Sequence, residues 1–354
     1  MSDSSSAITP RSGQGYTDQE IRDLDLRRLL WSEDEIDDLV HIVPNGIEAE
    51  LIESDYSWGP YPNPRGYCAI CRGSRHERGL IIRLSNGKRI MAGSTCGPRQ
   101  FGITNWKMIT RNFEEVQARQ DLLIRADRLA EIAREVIDLL QVQLPVAMGV
   151  EKSIGGLGRI EDRLCFAAEQ KGGNLTIEEF VDTSLMKESL PNVPSGRHRL
   201  GSAYRTVHIY QLRGLPYLRN RSTKTRSVVR RVTGILTRVL EKSKVSEGVT
   251  RTAFMNDFKA LRDAIDDLRR IYERCAAVKD FYSSENLQGI AQWVNDPRND
   301  SFYRYKVVGR SLFVPETGEE INGPDFFKLD PRPLALLEAW QSRHGMKKRR
   351  LKAA

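Results

Sequence analysis

Three cysteines and one histidine in this chain have the types and spacing to hold a metal ion. They read Cys68-Ala-Ile-Cys71, then His76, then Cys96 within Gly93-Ser-Thr-Cys-Gly97. The chain has only five cysteines, and three fall in this window. Structural zinc takes four tetrahedral ligands, usually thiolate and imidazole. A Cys-x-x-Cys pair on a tight turn places two sulfurs within reach of one ion. Cys96 can deliver the third sulfur, and His76 can supply the fourth ligand. Four protein donors leave no position for a catalytic water, so Zn2+ here reads as structural. The plainer alternative for Cys68 and Cys71 is a pair of buried thiols. Cys165 and Cys275 sit on helical apolar faces and read as core residues.

A second group of residues suits a polyanion. Net charge is +8 over 354 residues. Between Arg197 and Lys244 there are thirteen Lys or Arg and one acid, Glu241. The candidate phosphate contacts are Arg197, Arg199, Arg205, Arg213, Arg219, Arg221, Lys224, Arg226, Arg230 and Arg231. Cations neutralise phosphates and release counterions. Tyr204, Tyr210 and Tyr217 could offer stacking faces to unpaired bases, or lie in the core. The competing reading is a solvated helical face whose arginines pair with Asp263, Asp266, Asp267 and Glu273. Two further basic blocks are Arg72 to Arg99 in the cysteine segment and Lys347 to Lys352 in the tail. Separated basic blocks point to nucleic acid, DNA or RNA, as the partner.

The elements that must position these residues can be read from pattern. Residues 1–16 are Ser- and Gly-rich and read as a disordered leader. They have no apolar core, so no secretory signal is expected, and a reducing cytoplasm follows as the expected compartment. Thr17-Asp-Gln-Glu20 and Ser32-Glu-Asp-Glu35 match the capping box, which predicts a helical segment over 17–58. Leu80-Ile-Ile-Arg-Leu84 and Arg89-Ile-Met91 read as two strands. Asn86-Gly87 between them is the signature of a type I′ hairpin. Leu122, Ala126, Leu129, Ala133, Val136 and Leu140 form a heptad seam, predicting a long amphipathic helix over 105–145 that Pro145 stops. Thr176-Ile-Glu-Glu179 is a further capping box, opening a short helix. Pro191 to Ser195 is a break. The seams Val229, Val232, Leu236, Val239 and Phe254, Phe258, Leu261, Ile265, Leu268, Ile271, Cys275, Val278 predict two more helices, within a basic helical domain over 146–300. A β-hairpin and a short helix are expected over 301–343, then a basic tail over 344–354.

The order of knuckle, hairpin, cysteine and helix resembles a treble-clef zinc finger. Met91-Ala-Gly-Ser-Thr-Cys-Gly97 looks like the Val-Gly-Ser-x-Cys phrase in a loose group of bacterial and phage fingers. The resemblance covers about 45 residues, roughly Pro60 to Thr104, and defines a treble-clef-like module over 59–104. It departs from the fuller pattern, because no second cysteine or histidine follows Cys96 within a turn. The treble clef also underlies HNH nucleases, which need a histidine base and a later histidine or asparagine on the helix. His76 is the only histidine in the finger and is assigned to zinc, leaving Asn105 and Asn112 as weak candidates.

Other catalytic patterns are lacking. Gly155-Gly-Leu-Gly158 is not a phosphate-binding loop of the Walker type, because no Gly-Lys-Ser/Thr follows. The Gly-x-Ser-x-Gly pattern does not occur. The fold expected is mainly helical and bundle-like, with one small zinc-stapled α+β module and a C-terminal β-hairpin. The function expected is non-enzymatic nucleic-acid binding. The alternatives are a protein-interaction or scaffold subunit assembling through the amphipathic helices, and an HNH-like nuclease.

Overall fold

Thr17 and Ser32 both close capping boxes, yet neither opens a long helix. Thr17 accepts from the Glu20 N–H, and the Glu20 carboxylate accepts from the Thr17 N–H at 2.9 Å. The helix that follows, α1 (Asp18–Asp23), ends at Leu24 in extended backbone. The chain then enters β1 (Arg27–Leu30). The Ser32 box opens a single 3-10 turn, Glu33–Glu35. Next comes β2 (Ala49–Trp58). The helical segment expected over 17–58 is therefore mostly strand and loop. A capping box fixes where a helix begins but adds too little to sustain one, because helices of a few residues are marginal without packing.

The structure is a computed structural model and describes residues 16–59, 66–72, 75–181, 203–219, 223–244, 250–299, 303–324 and 329–344. The expected leader up to residue 15, the break at 191–195, Arg197, Arg199, Arg221 and the tail beyond 344 lie outside the described residues. Contacts divide the chain into two compact units. One holds residues up to Glu131 with Arg238–Asn256, and the other holds Ile132–Thr237 with residues from Asp257 onward.

The first unit is built on a four-stranded sheet of order β1-β2-β5-β6. The short strands β3 (Gly66–Tyr67) and β4 (Arg75–His76) pair with each other beside it. β5 (Arg78–Leu84) and β6 (Arg89–Ala92) form the expected hairpin. Its turn is not type I′. Gly87 has φ +82°, but Asn86 does not have positive φ, and the Leu84 N–H reaches the Lys88 carbonyl at 2.8 Å. Both faces of the sheet are covered. Ile82, Leu84, Ile90 and Ala92 join one apolar cluster, while Ile81 and Met91 join another with Tyr56 and Trp58. Two-sided burial explains why Leu80 to Leu84 reads as a nearly unbroken apolar run. Register shifts after Ala49 and Ile52 let β2 serve both clusters.

Two helices follow, α2 (Gly97–Phe101) and α3 (Ile103–Gly155). Within this unit α3 holds the N-terminal segment in place. Gln120 is buried and donates to the carbonyls of Ile21 at 2.8 Å and Leu24 at 2.6 Å. Arg119 grips Asp18 at 2.7 Å, and Arg22 pairs with Asp127 at 2.8 Å.

Helix α3 passes through Pro145, where an end was expected. A helical proline removes one backbone hydrogen bond and costs about 3 kcal/mol. The seam continues beyond it, since Ala147, Val150 and Ile154 are all buried. Each fully buried Val or Ile contributes about 1.5–3 kcal/mol, so the apolar seam outweighs the defect.

The second unit also holds α4 (Glu161–Gln170), then β7 (Asn174–Val181) and β8 (Ala203–Gln211), which pair antiparallel. Thr176 to Glu179, expected to start a helix, lies inside β7. Leu175 and Ile177 are buried at the two-residue spacing of a strand, and that decides the conformation. The chain continues through α5 (Leu215–Leu218), α6 (Thr225–Lys244) and α7 (Arg251–Phe281) to α8 (Ser284–Asn295). Every residue of the two expected seams on α6 and α7 is buried. α8 packs on β7 and β8. Gly289 is required there, because a Cβ would stand 2.4 Å from the Tyr210 ring. The end of the chain forms a three-stranded antiparallel sheet, where a two-stranded hairpin was expected. It comprises β9 (Lys306–Val308), β10 (Ser311–Val314) and β11 (Glu319–Asn322), followed by α9 (Arg332–His344). With nine α-helices among the described residues, the mainly helical class holds. No helix of the described residues is long and apolar enough to cross a membrane.

Candidate metal centre and basic surface

The cysteine segment turns tightly by taking an uncommon backbone conformation. Arg72, just after Cys71, has φ +55°, and its N–H closes a turn onto the Cys68 carbonyl at 3.0 Å. Non-glycine residues adopt this region at some cost, so it marks a position the surroundings enforce. The Ala69 N–H donates to the Met91 carbonyl at 2.9 Å, tying the knuckle to β6. Beyond β6 a second turn, from the Cys96 N–H to the Gly93 carbonyl at 3.0 Å, delivers Cys96 as the residue capping α2. Gly97 admits the Trp106 ring, since a Cβ there would lie 2.2 Å from it. Trp106, Cys68 and Ala69 belong to one apolar cluster.

The sulfurs of Cys68, Cys71 and Cys96 lie within 4.8 Å of one another. Three thiolates about 2.3 Å from one zinc ion stand about 3.8 Å apart, so a small contraction completes three corners of a tetrahedron. Cys68 is buried, Cys96 partly buried and Cys71 exposed. Desolvation, with the neighbouring Cys68 and Cys71 adding to it, pushes the Cys96 thiol up to about 11. A divalent cation would favour the thiolate form and release protons on binding. The backbone of His76 lies in β4, paired with Gly66, and its side chain lies outside the described part of the structure. Among the described residues no further His, Cys, Asp or Glu joins the cluster. Cys165 and Cys275 are buried at 2% and 6% exposure, and burial pushes the Cys275 thiol up to about 11. Both behave as core residues.

Among its described residues the basic segment runs through β8, α5 and α6. Arg205 on β8 pairs with Glu179 at 2.7 Å, and Arg213 pairs with Glu285 at 2.6 Å. Arg219 donates to the Ala168 carbonyl at 2.9 Å. Arg231 bonds Asp267, as the competing reading expected for that residue. Lys224 lies just before α6 and Arg226 and Arg230 in its first two turns, and Arg226 and Arg230 form no ion pair among the described residues. The expected basic helical domain therefore includes a strand through Arg205. Of the three tyrosines, Tyr217 is fully buried and Tyr210 packs on Gly289. Tyr204 is 67% exposed and meets the exposed Phe180 edge-on across the strands, at 5.9 Å between centroids.

Three of the four acids in the competing reading pair with arginines of α7 itself. Asp263 bonds Arg262, Asp266 bonds Arg269, and Asp267 bonds Arg270. Two cations that the sequence did not single out, Lys152 and Arg274, share a cleft with Lys224 and Arg226. No protein-family model matches this chain, and no curated protein or solved structure is significantly similar to it.

Proposed function

We propose that this chain is a non-enzymatic, zinc-containing nucleic-acid-binding protein. In this reading Cys68, Cys71 and Cys96 hold a structural Zn2+ with His76 as fourth ligand, in a module of treble-clef type. The zinc fixes the turn between β3 and β4 against β6 and α2. The observation that carries the binding role is the charge of residues 197–244, thirteen cations against one acid. Intramolecular pairs absorb Arg205, Arg213 and Arg231, so the phosphate contacts concentrate at Arg226 and Arg230. Tyr204 and Phe180 supply exposed rings for unpaired bases.

The test is binding of the zinc-loaded full chain to labelled duplex and single-stranded DNA and RNA across a salt series. Affinity should fall steeply with salt. Reversing Arg226 and Arg230 together to Glu should weaken binding and flatten the logarithmic salt slope by about two on duplex DNA. Equal affinity in the reversed variant, or no binding at low salt, would overturn the proposal.

A further inference from the structure

A cleft of about 550 Å³ opens in the second unit, within the roughly 300–1,000 Å³ typical of small-molecule sites. Its charged lining is Lys152, Lys224, Arg226 and Arg274 against Glu151 and Glu161. Cations outnumber acids by two, and the nearer acid is already engaged. Glu151 accepts the Thr225 N–H at 2.8 Å and stands 3.5 Å from Lys224. Burial opposes its charge, but the bonds from Thr225 and the fields of Lys224 and Arg274 hold its carboxyl below the usual carboxylate range.

Arg274 is the most informative member. Its side chain is 1% exposed and ranks first among the large fully buried ones. Its Nη1 donates to the Thr223 carbonyl at 3.3 Å. A guanidinium stays protonated at neutral pH, so burying one requires negative charge nearby. The field of Glu151 favours its charge. Lys152 and Arg226 are exposed at the cleft and form no ion pair among the described residues. The backbone also leaves room. Gly149 and Gly155 line the cleft, and a Cβ on either would meet nothing within 4 Å. Met148 and Ile154 add an apolar wall.

We infer that this cleft binds a phosphate-bearing ligand of nucleotide size. Arg226 offers a guanidinium fork to the phosphate oxygens, Lys152 adds a point charge, the buried Arg274 adds its positive field, and the Met148–Ile154 wall takes the apolar part. A single phosphate would leave most of 550 Å³ empty, which favours a larger ligand. The source is a free nucleotide or the terminal phosphate of a nucleic-acid strand. The inference stands apart from the nucleic-acid reading, since a free nucleotide satisfies it.

The test titrates the full chain by calorimetry with inorganic pyrophosphate, adenosine diphosphate, and one oligonucleotide carrying either a 5′-phosphate or a 5′-hydroxyl. Pyrophosphate should bind, and Lys152→Ala with Arg226→Ala should weaken it by about a hundredfold, roughly tenfold for each charge-assisted contact. Gly149→Leu should abolish adenosine diphosphate binding at constant charge, with the helix intact by circular dichroism. These variants avoid Arg274, whose loss could unfold the unit. A preference for the 5′-phosphate strand assigns a strand end as the ligand, and equal binding of both strands assigns the free nucleotide. Absence of pyrophosphate and adenosine diphosphate binding at millimolar concentration, or unchanged affinity in the double variant, overturns the inference. Salt-dependent duplex binding is scored separately, so either proposal can fail alone.

Discussion

The cysteine cluster and the cationic cleft gather functional groups in opposite ways. The three cysteines lie within a span of about thirty residues, and short turns bring them together. Knuckle, hairpin and helix cap are each set by local chemistry, so the site is written in one stretch of chain. The cleft draws Lys152 from α3, Lys224 and Arg226 from the start of α6, and Arg274 from α7. Nothing local relates these residues. Spacing can announce the first kind of site, whereas packing alone creates the second.

The sharpest way to break this contrast is Cys71→Ser. We expect metal content to fall from about one zinc per chain to none, because structural zinc contributes folding energy on the scale of 10 kcal/mol or more in isolated fingers. Hydrogen exchange should rise over 66–101 and stay unchanged in α8. Metal retained in the variant would show that Cys71 is not one of its ligands. A smaller effect tests whether the sheet around the centre depends on distant residues after all. Gln120→Leu leaves the Ile21 and Leu24 carbonyls without their donor and should cost about 2–3 kcal/mol, read as a lowered midpoint in urea.

Pro145→Ala probes the opposite balance in the second unit, where packing overrides a local stop. Restoring the backbone bond should stabilise the protein by about 1–3 kcal/mol, visible as a higher Tm. An unchanged Tm would mean the helix has already adapted to its proline. The smallest effect concerns pH. The Glu151 carboxyl is held below its ordinary value of 4.5 when folded. Its contribution is present above that value and is lost as pH falls through the lower folded value. Glu151→Gln should therefore reduce the acid-side loss of stability below about pH 4.5 and leave the slope at neutral pH unchanged. An identical acid limb in both proteins would separate Glu151 from Thr225 and the cations around it.

Legibility follows the same division. The hairpin, the cysteine cluster and the buried seams of α3, α6 and α7 could be read because each depends on residues near in sequence. The β1–β2 half of the sheet was missed, because β1 pairs with β2 across a long connection and register shifts interrupt the two-residue alternation of β2. The capping boxes at Thr17 and Ser32 are both formed, but tertiary burial sets helix length. The continued seam at Ala147, Val150 and Ile154 was the signal that α3 outlasts Pro145. Arg274 carried no signal, since a charged residue next to seam position Cys275 normally faces solvent. Only the three-dimensional structure shows it buried.

The Trp106 ring, seated on Gly97 beside Cys96 and stacked 6.5 Å from Phe101, gives the centre an optical readout. Trp106 is 7% exposed, so its emission reports on the apolar cluster it shares with Cys68. Cobalt bound by the three cysteines would put an absorbing ion beside this indole and quench it. Occupancy could then be followed by fluorescence in a chain whose other tryptophans, Trp31, Trp58, Trp293 and Trp340, are replaced by phenylalanine.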